Sequence, residues 1–154
     1  MAVVTKYSSA MPDPTTYPAQ PKSVNVEGRV KSLFGSVAVA NGDSIASQFF
    51  VGKIPSHARI LPSSAVHCTA VTGAAINFGF DISGKAAVLL AAQTIATAAK
   101  LPATAAVAVA DQSKFAWELA GYAQDPGTQL TLVAALTAAA TAAGTVVFDI
   151  QYAL

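Results

Sequence analysis

The sequence predicts an all-β domain, an antiparallel β-sandwich of the jelly-roll kind with an extended N-terminal arm and one or two short helical turns. Three observations predict it. Ile76, Phe78, Phe80 and Ile82 alternate with Asn77, Gly79 and Asp81, the period of a strand with one buried and one polar face. Seven or eight apolar runs of strand length follow one another from residue 30 onward, separated by Gly, Pro, Asn and Asp turn signals and with no fixed-period repeat. Residues 1–26 differ from the rest, with Pro12, Pro14, Pro18 and Pro21 interleaved with Ser, Thr, Gln and Tyr. Proline removes backbone donors and favours extended chain, so this stretch has no core of its own. The domain division is therefore an arm over 1–26 and a sandwich over 27–154. The arm reads either as a tail without structure in the isolated protein or as a segment that orders against a neighbour. On the second reading its candidate partner-binding residues are Tyr7, Tyr17 and Lys22.

Taken in order, Val30 to Ala40 and Ile45 to Ile54 are strands joined through Asn41-Gly42-Asp43-Ser44, and Asn-Gly is a strong hairpin signal. Pro55 cannot donate to a ladder and ends the second strand. Arg59 to Thr72 starts the next, with Pro62 near its beginning, and Gly73 precedes the Ile76 strand. Lys85 to Lys100 is rich in alanine and reads as a short helix or ordered loop. Thr104 to Ala110 reads as a short strand. Lys114 to Tyr122 reads as a helical turn burying Phe115, Trp117 and Leu119. Asp125-Pro126-Gly127 is a turn, Gln129 to Leu136 a strand, and Thr145 to Ala153 the last strand. There Val146, Phe148, Ile150 and Tyr152 share one face, and a strand this apolar belongs inside a sheet.

The chain has 154 residues, enough for one domain with a proper core. Only 11% of them are charged, against roughly 25% in an average domain, and 53% are hydrophobic. Apolar area in excess of one core favours burial against other subunits. A net charge of +1 provides no electrostatic footprint for nucleic acid. Cys68 is the single cysteine, which excludes an intrachain disulfide and suits a reducing cytosol. Lys6 follows the apolar Met1 to Val4 too soon for a signal peptide. Pro126 to Phe148 is uncharged and long enough to span a bilayer, but its Gly, Gln, Ala and Thr content reads as strand, loop and strand.

Neither a catalytic residue nor a metal or cofactor site emerges. His57 and His67 are the two histidines, and His67 and Cys68, as strand neighbours, point to opposite faces and cannot share an ion. The expected arrangement is His67 toward solvent or an interface and Cys68 in the core. The nucleophile-elbow, zinc-protease and phosphate-loop patterns are missing. Asp111 and Glu118 are a possible carboxylate pair, read here as solvated. Trp117, Tyr122 and Tyr152 leave a carbohydrate-binding module open as an alternative.

The segment FVGKIPSHARILPS (50–63 and onward), the strand from Asn77 to Ile82, Ala116-Trp117-Glu118-Leu119 with Asp125-Pro126-Gly127, and the closing VVFDIQYAL together resemble small tailed-bacteriophage capsid decoration, or cement, proteins. The resemblance runs over about residues 28–154 as an ordering of features. It implies a β-sandwich or jelly-roll subunit, a homotrimer, and a place on the outer surface of a virion assembled in the host cytoplasm. It implies the major capsid protein as partner, with no direct nucleic acid, no membrane and no enzymatic role. A head-fibre or tail component is the alternative within a virion.

Overall fold

The computed structural model describes residues 29–154. Among the described residues, nine strands, β1 (Val30–Val39), β2 (Gln48–Pro55), β3 (Arg59–Ile60), β4 (Ala65–Cys68), β5 (Ala75–Phe80), β6 (Leu90–Thr94), β7 (Ala99–Pro102), β8 (Gln129–Ala138) and β9 (Gly144–Ala153), account for the regular structure together with two short helical pieces. These are a 3-10 turn at Val109–Asp111 and one α-helical turn, α1, at Ala116–Leu119. One sheet runs β1-β9-β4-β7, with β3 also on β9, and the other runs β2-β8-β5-β6. All pairings are antiparallel. The chain changes sheet at nearly every connection, which is the double Greek-key winding of a jelly roll.

The core lies between the sheets, where alternate residues of the central strands meet. Ile76, Phe78 and Phe80 of β5 and Leu130, Leu132, Ala134 and Leu136 of β8 face Val66 and Cys68 of β4 and Val146, Phe148 and Ile150 of β9. The rings of Phe78 and Phe148 meet at 5.1 Å between centroids with a 33° tilt, joining the two layers. Each of the large aliphatic and aromatic side chains here, fully buried, contributes about 1.5–3 kcal/mol relative to exposure. The alternation in β5 and in β9 thus faces the way the sequence indicates, and β9 is an interior strand with β1 on one side and β3 and β4 on the other. Ile82 is half-buried, just beyond the end of β5.

Several local expectations are corrected. The Asn41-Gly42 turn does not close a hairpin, because β1 pairs with β9 and β2 with β8. Gly42 alone has a positive φ, +95°, and Asp43 N–H donates to Ala40 O. That is a type II pattern, whereas the hairpin type I′ needs positive φ at both central residues. The loop instead bonds to the far end of β8 and beyond, through Gly42 N–H to Ala140 O at 2.9 Å and Ala46 N–H to Leu136 O at 2.9 Å. Strand Ile45 to Ile54 accordingly starts later, at Gln48, with Ile45 exposed in the turn.

Lys85 to Lys100 contains no helix. It supplies β6 and the start of β7, since pairing with β5 and β4 outweighs the modest helix preference of alanine. Thr104 to Ala110 is turn and 3-10 chain, not strand. In α1 the fully buried residues are Ala116 and its neighbour Ala120, while Phe115, Trp117 and Leu119 are half-buried. The Arg59 to Thr72 strand is real but interrupted: Leu61 to Ser64, with Pro62, separates β3 from β4.

Candidate functional site

The residues first suspected of chemistry are held apart or occupied. His67 lies on the outer face of the first sheet, in a cross-strand row with Val147, Ser36 and Lys100. Cys68 turns inward, 7% exposed, with its sulfur 3.6 Å from the carbonyl oxygens of Thr97 and Ala99. Asp111 pairs with Lys114 at 2.9 Å, and Glu118 Oε2 accepts the Phe115 N–H at 2.7 Å, so each carboxylate serves its own turn. The Asp111 hydrogen bond and charge raise the Lys114 pKa.

Ser56, His57 and Asp125 converge at the end of β2, but not as a triad. The buried Ser56 hydroxyl donates directly to Asp125 Oδ1, and His57 is exposed. In a triad the serine proton goes to the imidazole. Here the serine and the Gly127 N–H, at 2.9 Å, both bond the carboxylate and lower its pKa. The arrangement is a latch between the β2–β3 and α1–β8 connections, which α1 completes by donating Ala116 N–H to Ala58 O and Trp117 N–H to Ser56 O. Arg59 stacks on the Phe115 ring at 4.4 Å. Among the described residues no group of three or more His, Cys, Asp or Glu is placed to hold a metal ion. An open concavity beside the β5–β6 connection has Asp81 as the one ionisable group in its lining.

What the fold does present is apolar surface around β1 and β2. Val30 and Phe34 are 60% and 71% exposed and share the outward face of β1, with Ser32 between them. Ser32 donates to Asp149 Oδ1 at 2.9 Å, and Ser63 to Gln151 Oε1 at 2.8 Å, so these neighbouring polar groups are satisfied. Phe50 is exposed on the outer face of the second sheet and Ile45 in the intervening loop. The sequence reading missed this surface, yet two signals mark it. Leu33-Phe34 and Phe49-Phe50 are adjacent bulky pairs within strands, and neighbours on a strand cannot both face the core. Of the aromatic residues considered for carbohydrate stacking, Trp117 and Tyr152 pack against the core, and Tyr122 is 41% exposed. Tyr7, Tyr17 and Lys22 lie outside the described residues. No described helix is long and apolar enough to cross a membrane.

No family model and no curated protein matches the chain. Among solved structures it is similar to a chain of the "Cyanophage Pam1 capsid asymmetric unit", with 21% identity, a TM-score of 0.58, and coverage of 82% of this chain and 86% of that one. At this identity the likeness establishes a shared fold over most of both chains.

Proposed function

We propose that this chain is a structural virion protein of a bacteriophage, decorating the outer capsid surface as a homotrimer and cementing it by bridging neighbouring capsomers. The observation that carries this reading is the likeness to a chain of a cyanophage capsid asymmetric unit over most of both molecules. The low charge fraction and the exposed Val30, Phe34, Ile45 and Phe50 support a subunit that works by contact. In this reading the partner is the major capsid protein, residues 1–26 form an arm extending across a neighbour through Tyr7, Tyr17 and Lys22, and no catalysis or bound cofactor takes part. Each contact is modest, and many copies on one shell add them into a large stabilisation.

The test is incubation of the purified full-length protein with undecorated shells. Stoichiometric attachment, weakened when residues 1–26 are deleted while the melting temperature holds, is the expected result. Failure to attach to any shell overturns the proposal.

A further inference from the structure

Every open sheet must deal with its edges, because an unpaired row of N–H and C=O groups is a template for another strand. Three of the four edges among the described residues are blunted. β2 carries a bulge between Phe50 and Gly52, then Lys53 and Pro55. β6 has five residues, with a register break opposite β5 and a positive φ of 45° at Ala92, whose amide is bonded to Asn77 Oδ1. β7 has four residues, including Lys100 and Pro102. β1 has no bulge, no proline and no positive φ. It is ten residues long, pairs with β9 without a register shift, and contains one charged residue, Lys31. Among the described residues no backbone hydrogen bond reaches it from any strand but β9.

We propose that the free edge of β1 pairs antiparallel with β1 of a second copy across a twofold axis, extending the first sheet from one subunit into the next. The sequence of the strand fits itself. Residues directly opposite in an antiparallel pair share a face, so an isologous pairing must match outward with outward residues. The register centred on residue 34 does this. It sets Phe34 against Phe34 of the second copy, Ser32 against Ser36, Val30 against Ala38, and Leu33 against Gly35. Lys31 then lies opposite Val37, and no like charges meet. The exposed Phe34 gains an aromatic cross-strand partner, one of the more favourable pairs on a sheet. The contact is twofold, so it joins copies belonging to different trimers of the proposed decoration and is independent of how the chain attaches to a shell.

Disulfide trapping in full-length protein, without shells, tests it; the native Cys68 is buried and does not compete. Phe34→Cys, and Ser32→Cys combined with Ser36→Cys, are expected to convert most of the chain to covalent dimer under mild oxidation. Ser32→Cys or Ser36→Cys alone is expected to remain uncrosslinked, because each faces the other position and not itself. Phe34→Lys, which sets two positive charges opposite each other, is expected to lower the mass observed by sedimentation at high concentration with an unchanged circular dichroism spectrum. Absence of the two predicted cross-links, equal cross-linking of the single serine variants, or a mass indifferent to Phe34→Lys each overturns the twofold edge contact.

Discussion

Strands β5 and β1 both alternate, yet they end in opposite environments. On β5 the inward Ile76, Phe78 and Phe80 are buried, and the outward Gly79 is buried as well. The β5–β6 connection lies over it: a Cβ at Gly79 would collide with Lys85 O and come within 2.8 Å of Ala86 C. Val133, opposite Gly79 on β8 and also outward, is 1% exposed and lines the concavity beside the same connection. On β1 the inward Leu33, Gly35 and Val37 are only half-buried, and the outward Phe34 is 71% exposed. Alternation therefore identifies the side of a strand that faces the core. Whether the other side meets water depends on which loop crosses it, and for β5 that is the connection that follows it directly.

The sharpest way to break the comparison is to place the same charge on both strands. Phe78→Asp buries an unpaired carboxylate beside Phe148 and is expected to leave no soluble folded protein, because the cost of several kcal/mol approaches the whole stability of a domain, about 5–15 kcal/mol. Phe34→Asp is expected to shift stability by no more than about 0.5 kcal/mol, as exposed substitutions do. Asn77→Asp keeps the oxygen that accepts the Ala92 N–H and is also expected to fold. Soluble yield and circular dichroism check all three, and equal behaviour of Phe78→Asp and Phe34→Asp would reverse the assigned faces.

Gly79→Ala addresses the covered outer face. The added methyl meets backbone atoms of Lys85 and Ala86, which cannot swing aside as a side chain can, so the connection must lift. Destabilisation of about 1–3 kcal/mol is expected in chemical denaturation. A neutral Gly79→Ala would mean that the connection does not rest on β5.

The smallest effect expected is at the Ser56–Asp125 latch. The Ser56 hydroxyl, then the Gly127 N–H, hold the Asp125 carboxyl below its ordinary value of 3.8. A depressed folded pKa contributes stability that is present above the ordinary value and is lost as pH falls through the folded one. Asp125→Asn is therefore expected to reduce slightly the fall in melting temperature below about pH 4, with the rest of the pH profile parallel to that of the parent protein. An identical acid limb in both proteins would show that the latch adds nothing to the folded state.

Much of the sandwich was legible because its central strands bury one face each. Ile76-Phe78-Phe80 and Val146-Phe148-Ile150 can satisfy two-residue periodicity only as strands, and Pro55 and Asp125-Pro126-Gly127 mark stops with a local mechanism. Where local preference was weak, the tertiary structure decided. Alanine-rich Lys85 to Lys100 became two edge strands because β5 and β4 offered ladders, and Asn41-Gly42 became a bridge between sheets because β1 and β2 had better partners in β9 and β8. The exposed surface was readable only in part. The adjacent pairs Leu33-Phe34 and Phe49-Phe50 announce that a bulky residue must face outward, but a coverer such as the one over Gly79 could have hidden it. By itself, then, the sequence determined an all-β chain with a core-facing side to its central strands, since side-chain alternation is a property of the strand backbone. Strand partners, and with them which edge of β1 lacks a partner among the described residues, were decided by the tertiary structure, because they depend on contacts between residues distant in sequence; the cover over β5 comes from the connection that directly follows it.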